Sequence, residues 1–60
     1  MDINVNDRVE IIEAGPSEQH LLHKFGTVMM IIDGENCFVL LDDETDANVN
    51  VKQLKKVKQA

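Results

Sequence analysis

Short apolar runs separated by polar turns make up the pattern of this chain. Apolar and polar residues alternate from Arg8 to Ile11 and are followed by one extra apolar residue, Ile12, and the alternation with period two returns from Asn48 to Val51. Two further runs, Thr27 to Ile32 and Cys37 to Leu41, are apolar at nearly every position. Short runs of these kinds are typical of β-strands. No window keeps a helical apolar spacing over the about 11 residues that a convincing helix needs.

Glycine and proline mark the turns between these runs. Gly15-Pro16 follows the first run, and Asp33-Gly34 lies between the two central runs. We interpret residues 17–24 as a long loop with Leu21 and Leu22 tucked beneath it, although they could also form a short turn of helix.

The last part of the chain predicts a helical turn followed by a short strand. Val51, Leu54 and Val57 are spaced by three, which suits one turn of helix. With the four runs above, this gives five short strands in a single domain, residues 1–60. The predicted fold is all-β, a five-stranded SH3-like barrel with a short helical turn before the last strand, because closure hides sheet edges that a small β protein must protect.

Asp33-Gly34 between two apolar runs is a strong hairpin signal, with positive φ expected at the tip. A two-residue loop pairs Val28 with Val39, and a four-residue loop shifts the pairing but keeps the same faces. One face then carries Val28, Met30, Ile32, Cys37, Val39 and Leu41. The other face carries Met29, Ile31, Phe38 and Leu40. A three-residue loop with a bulge would swap the set of one strand. In the two-residue register the remaining pairs are Met30 with Cys37 and Met29 with Phe38.

Length and composition exclude several classes of protein. A 60-residue chain with one cysteine, Cys37, has no intrachain disulfide, and its N-terminus lacks the basic and apolar regions of a secretory signal. Its longest apolar stretch, Val28 to Ile32, is far shorter than the about 20 residues of a membrane helix. We therefore expect a cytoplasmic protein with no membrane span.

The net charge of −5 is unevenly distributed. Residues 1–47 hold all eleven acidic residues and only Arg8 and Lys24, whereas residues 48–60 hold four lysines and no acid. The lysines are Lys52, Lys55, Lys56 and Lys58. An acidic body repels phosphate backbones. With no Trp or Tyr and only Phe25 and Phe38 to stack on bases, nucleic acid is not an expected partner.

Four segments resemble the strands of small SH3-like barrels. Asn6 to Ile11 is similar to their opening "GDRV-x-V", with Asn6 in place of the glycine, and Lys24 to Val28 is similar to "K-x-GTV". Val39 to Asp43 resembles "V-x-LDD", and Val51 to Val57 resembles the closing "V-x-x-L-x-x-V". The same pattern occurs in KOW-type modules, in photosystem I subunit IV and in the variable chain of ferredoxin–thioredoxin reductase. The resemblance implies a non-catalytic accessory or interaction domain and names no ligand.

Candidate sites for chemistry are weak. His20 and His23 lie three apart near Glu18, but a fourth metal ligand is lacking, so no metal site is assigned. The acidic loop from Asp42 to Asp46 lacks the EF-hand spacing and its glycine, which favours a solvated turn. No cofactor is expected. Ser17 lies in no nucleophile motif, and Cys37 in an apolar strand should be inert, so we expect no enzyme.

The doubly apolar hairpin remains as the candidate interaction surface. The inside of a barrel can take only one of its faces, which leaves Met29, Ile31, Phe38 and Leu40 to contact another protein or a second copy of the chain. The alternative is that strong curvature or the loop 17–24 covers this face. The expected function is a protein-interaction module, an accessory subunit or adaptor. Its rivals are a KOW-like transcription- or translation-associated module using the C-terminal lysines, and a small metal-responsive regulator using His20 and His23.

Overall fold

The computed structural model describes residues 3–58, and their regular structure is a five-stranded antiparallel sheet with two short 3₁₀ helices. The strands are β1 (Arg8–Ile11), β2 (Phe25–Ile31), β3 (Asn36–Leu41), β4 (Asp46–Asn50) and β5 (Leu54–Lys56). The first 3₁₀ helix, Pro16–Leu21, joins β1 to β2, and the second, Val51–Gln53, joins β4 to β5. The predicted all-β class and the helical turn directly before the last strand are confirmed.

The strand order is β4-β3-β2-β1-β5, with every neighbouring pair antiparallel. Strands β2 to β4 form a meander, and the chain then crosses to place β5 beside β1. Within residues 3–58, β4 and β5 are therefore the two edges of the sheet. Their pairing with each other is not part of the described sheet, so closure of the barrel stays a prediction.

One face of the sheet holds the core. The side chains of Val9 and Ile11 on β1 are almost fully buried, and Arg8 and Glu10, which alternate with them, are partly exposed, as the alternation predicts. The other buried core residues are Leu21, Val28, Cys37, Val39, Leu41, Val49, Val51 and Leu54. Every strand contributes to this set, so the core lies against the whole sheet.

The β2–β3 hairpin does not keep the register of a two-residue loop. Val28 pairs with Val39 as predicted, but the register then shifts by a bulge, so that Met30 lies opposite Phe38 and Ile31 opposite Cys37. The predicted pairs of Met30 with Cys37 and of Met29 with Phe38 are therefore wrong. A bulge adds one residue to one strand and reverses the faces of the residues that follow it.

The tip of this hairpin is stabilised by the side chain of Asp33 and not by a glycine with positive φ. The amide of Ile32 donates to the carbonyl of Asn36, which leaves a three-residue loop. Asp33 Oδ1 accepts hydrogen bonds from the amides of Glu35 (2.8 Å) and Asn36 (2.9 Å). No glycine among the described residues has positive φ, so the expected positive φ at Gly34 is wrong. The aspartate stabilises this turn by local hydrogen bonds to the backbone.

The segment 17–24, interpreted as a long loop, holds most of the first 3₁₀ helix, so for residues 17–21 the alternative of a short turn of helix is the correct one. Pro16 stands in its first turn, where a missing amide hydrogen costs nothing. Leu21 is buried in the core and Leu22 is half-buried, as their apolar character predicts. The helix thus packs one leucine against the core and leaves the outer side of the β2–β3 hairpin uncovered.

Candidate functional site

The outward side of the β2–β3 hairpin carries four of the seven large apolar side chains that are exposed among residues 3–58. Met29 is 48% exposed, Met30 56%, Ile32 49% and Leu40 42%, and Phe38 is half-buried beside them. Met30 and Phe38 are cross-strand partners, and Leu40 lies opposite Thr27. We call Met29, Met30, Ile32, Phe38 and Leu40 the outer apolar patch.

The bulge decides which residues belong to this patch. Three of the four predicted residues, Met29, Phe38 and Leu40, lie in it. The fourth, Ile31, does not, because the register shift after Val28 turns its side chain inward, where it packs against the core. Met30 and Ile32 take its place on the outer side, although the two-residue and four-residue loops both assigned them to the inner face. The three-residue loop with a bulge would swap the whole set of one strand, whereas only the residues of β2 that follow the bulge change faces, and Val28 and Met29 keep theirs.

Acidic turns lie at both ends of the patch. Strand β3 begins directly after the hairpin tip, which holds Asp33 and Glu35, and ends directly before the turn that holds Asp42, Asp43 and Glu44. All five of these residues are exposed. A protein segment that crosses the patch along β3 therefore meets carboxylates at each end.

Two basic side chains reach the second turn. Arg8 donates to both carboxylate oxygens of Asp42, with Nη1 2.6 Å from Oδ1, and its guanidinium lies 6.0 Å from the ring centroid of Phe25. This hydrogen bonding raises the pKa of Arg8 and lowers the pKa of Asp42. The contact links β1 to Asp42, the residue directly after β3, at one border of the outer side of the sheet.

Asp43 is held by three hydrogen bonds. Its Oδ2 accepts from Lys24 Nζ at 2.5 Å, and its Oδ1 accepts from the Thr45 hydroxyl at 2.5 Å and the Thr45 amide at 3.1 Å. These bonds, led by that from Lys24, hold the pKa of the Asp43 carboxyl well below its usual range. Glu44, the next residue, has φ of 72° and forms the corner of the turn. The predicted solvated turn is thus also a hydrogen-bonded one.

The histidines are not brought together into a metal site. His23 Nδ1 lies 3.1 Å from Glu10 Oε2, and His20 is exposed in the first 3₁₀ helix. Within residues 3–58, no group of three His, Cys, Asp or Glu side chains is placed to hold a metal ion. The residues His20 and His23 therefore gain no support from the structure as a ligand pair.

Cys37 is fully buried, as predicted from its apolar strand. Burial raises the pKa of its thiol, because the charged thiolate is disfavoured away from water. Its side chain faces the core between β2 and β4, where it is opposite Ile31 and Val49. Cys37 therefore packs in the core, and its thiol is not exposed to solvent.

A depression of about 480 Å³ lies near the first 3₁₀ helix, lined in part by Ile12, Leu22 and Gln53. It is open to solvent along much of its extent and therefore does not enclose a small molecule as a typical ligand pocket does. Its lining residues include Glu13 and Gln19 but none of the outer apolar patch. The depression and the patch are separate features.

Comparisons with known proteins identify no family for this chain. No protein-family model matches the chain, and no curated protein matches it significantly. In the part of the chain that the structure describes, no helix has the length and apolar character required to cross a membrane.

Proposed function

We propose that this chain is a non-catalytic protein-interaction module, an accessory subunit or adaptor, and that it binds its partner through the outer apolar patch. The observation that supports the proposal is the exposure of Met29, Met30, Ile32 and Leu40 on one side of a hairpin whose other side fills the core. An antiparallel sheet with one solvated face normally alternates apolar and polar residues. Here β3 is apolar from Cys37 to Leu41, on both faces.

The chemistry of the patch suits contact with a protein. Methionine side chains adapt to the shape of a partner, and an aromatic ring such as that of Phe38 provides a rigid anchor. Burial of apolar surface contributes about 25 cal/mol per Å² before the costs of association are subtracted. A domain of this size gains stability from such burial, since its own core is small.

The SH3-like barrel remains part of the proposal. A meander of three strands, a 3₁₀ turn and a last strand returned beside β1 are consistent with that architecture. The KOW-like alternative is less favoured, because two of its four lysines already lie beside acidic residues. Lys55 lies opposite Glu10 across the β1–β5 pair, and Lys56 Nζ lies 3.6 Å from Asp7 Oδ2.

The proposal is tested by crosslinking from the patch. A photo-reactive benzophenone amino acid replaces Leu40 in one protein and Lys52, which is exposed on the second 3₁₀ helix, in another. Irradiation in native lysate should give discrete crosslinked proteins from position 40 and not from position 52. The double substitution Met30→Thr with Phe38→Thr should abolish them.

Asn48→Thr is the matched control, since Asn48 lies opposite Phe38 on the outer side of β4 and is polar. It should leave the crosslinks unchanged. If positions 40 and 52 give the same crosslinked proteins, or if the double variant still gives those of position 40, the patch is not the surface that binds the partner.

A further inference from the structure

We infer that the partner of the outer apolar patch is a protein segment with an apolar centre and basic residues at both ends. This inference rests on the proposed function and adds the chemistry of the partner. Its basis is the position of the acidic residues relative to the patch, which is a property independent of the apolar exposure itself.

The charged residues of the segment that carries the patch are all acidic. Residues 25–46 contain six acidic residues and no Lys, Arg or His. Two of the six carboxylates are paired from outside this segment, Asp42 by Arg8 and Asp43 by Lys24. The others are Asp33 and Glu35 at the hairpin tip, Glu44 in the turn after β3, and Asp46 at the start of β4. Each end of the patch thus keeps two carboxylates without an ion pair among the described residues.

The spacing of the two acidic ends sets the length of the segment. Strand β3 has six residues, which corresponds to about 20 Å in an extended chain. An extended partner segment that follows β3 therefore needs basic groups about six residues apart, with apolar side chains between them. Basic groups at those ends gain complementary charge, whereas acidic groups face repulsion.

The same distribution disfavours a second copy of the chain as the occupant. If two copies pack patch to patch, either direction of the strands brings an acidic turn of one copy next to an acidic turn of the other. Of the lysines, Lys24 already pairs with Asp43, and Lys55 and Lys56 lie on the β5 edge. That edge offers no comparable apolar centre, because Leu54 beside them is buried in the core.

Anionic surfaces are disfavoured for the same reason. Phosphate backbones and acidic lipid headgroups meet four carboxylates without an ion pair at the ends of the patch, and like charges raise the free energy of contact. A basic and apolar protein segment is the class that satisfies both the apolar patch and its acidic ends.

Synthetic peptides test the charge requirement directly. Three peptides share a six-residue centre of alternating valine and serine and differ only at their ends, which carry two lysines, two serines or two glutamates each. Binding is measured by titration of isotope-labelled protein, with amide shifts in the nuclear magnetic resonance spectrum giving both affinity and location. We expect the lysine-flanked peptide to bind at β2 and β3 at least about tenfold more tightly than the glutamate-flanked one.

Two variants separate charge from apolar contact. Glu35→Gln with Glu44→Gln should reduce the preference for lysine ends and leave the affinity for the serine-flanked peptide unchanged. Met30→Thr with Phe38→Thr should weaken all three peptides. Raised salt should weaken the lysine-flanked peptide most, since exposed charges are screened.

Four outcomes overturn the inference. Equal affinity for the three peptides means that the patch selects apolar character alone. Shifts that map away from β2 and β3 mean that the peptide binds elsewhere, and no binding by any peptide removes the support for a segment of this kind. A dimer in sedimentation equilibrium that the double patch variant abolishes identifies a second copy as the occupant. In each case, crosslinking from position 40 decides the proposed function separately.

Discussion

Two glycines on the β2–β3 hairpin illustrate how differently one residue type can be constrained. A Cβ atom on Gly26 would lie 2.5 Å from the carbonyl oxygen of Leu40 and 2.7 Å from Val39 Cγ1, whereas one on Gly34 would meet no atom within 4 Å. Gly26 thus allows the close approach of β2 to β3, and Gly34 occupies open space.

We predict that Gly26→Ala lowers the free energy of unfolding by about 1–3 kcal/mol, because the carbonyl oxygen that it meets belongs to a neighbouring strand and cannot turn away. Gly34→Ala is the matched control and should be neutral or slightly stabilising, since alanine reduces the freedom of the unfolded chain. Urea denaturation of both variants measures the difference. Equal midpoints would contradict the close packing at Gly26.

Asp43 should make stability depend on pH in the acid range. Its hydrogen bond from Lys24 and those from Thr45 depress the pKa in the folded state below the reference value of 3.8. A group with a depressed folded pKa stabilises the protein above its unfolded pKa, and that contribution is lost as the pH falls through the folded value. The unfolding midpoint should therefore drop as the pH is lowered below about 4.

The variant Asp43→Asn should flatten this acid dependence, and the midpoint in urea measured from about pH 5 to about pH 2 would show it. Glu44→Gln is the control, since it removes the next carboxylate of the same turn without removing a hydrogen bond described for residues 3–58. An unchanged pH profile in Asp43→Asn would mean that the contact with Lys24 does not persist in water.

At the scale of elements, the second 3₁₀ helix depends on a reciprocal cap. Asn50 Oδ1 accepts from the amide of Lys52 at 2.9 Å, and Gln53 Oε1 accepts from the amide of Asn50 at 2.9 Å. Gln53 Nε2 also donates to the carbonyl of Glu13 at 3.1 Å, which links this helix to the segment after β1. Two side chains thus fix the crossing from β4 to β5.

We predict that Asn50→Ala lowers the free energy of unfolding by about 1 kcal/mol, the usual effect of losing an N-terminal cap. Asn48→Ala, two residues earlier on the exposed outer side of β4, should have a smaller effect. Thermal unfolding of the two variants measures the comparison. A larger effect at Asn48 would contradict the capping role.

The turn between β2 and β3 gives a second comparison at this scale. Asp33→Ala removes the hydrogen bonds to the amides of Glu35 and Asn36, and it should lower the unfolding midpoint. Gly34→Val should have little effect, because Gly34 lacks positive φ and its surroundings are open. The reverse order in urea denaturation would show that glycine, and not aspartate, determines this turn.

These elements also show how far the sequence can predict the fold. The bounds of β1 to β4 agree with the four runs in the sequence within two residues, because each run combines an apolar pattern with turn residues beside it. The bulge at the β2–β3 hairpin was not resolved, because Val28 to Ile32 is apolar at every position and both registers bury an apolar face. The first 3₁₀ helix could be given only as an alternative to a loop, because its six residues carry only one buried apolar residue.

At the scale of the molecule, the same ambiguity limited the prediction of the candidate site. Met29, Phe38 and Leu40 could be assigned from the pattern, because Met29 lies at the bulge itself and the faces of β3 do not change. Ile31 and Met30 exchange places because they follow the bulge. The acidic ends of the patch are visible in the sequence, but their relation to the patch requires knowing that β3 runs between them.

The burial of Cys37 allows the stability of the whole sheet to be followed by chemistry. The thiol belongs to β3 and is fully buried in the core, so a reagent reaches it only when the sheet opens. We predict slow labelling in native buffer, with a rate that follows the population of the open form.

Gly26→Ala should accelerate this labelling, because every loss of about 1.4 kcal/mol in stability raises the population of the open form tenfold. Gly34→Ala should leave the labelling rate unchanged. Labelling with Ellman's reagent, followed by absorbance, measures the rates. Complete labelling of the unmodified protein within seconds, without denaturant, would mean that Cys37 is exposed and that β3 does not pack as described.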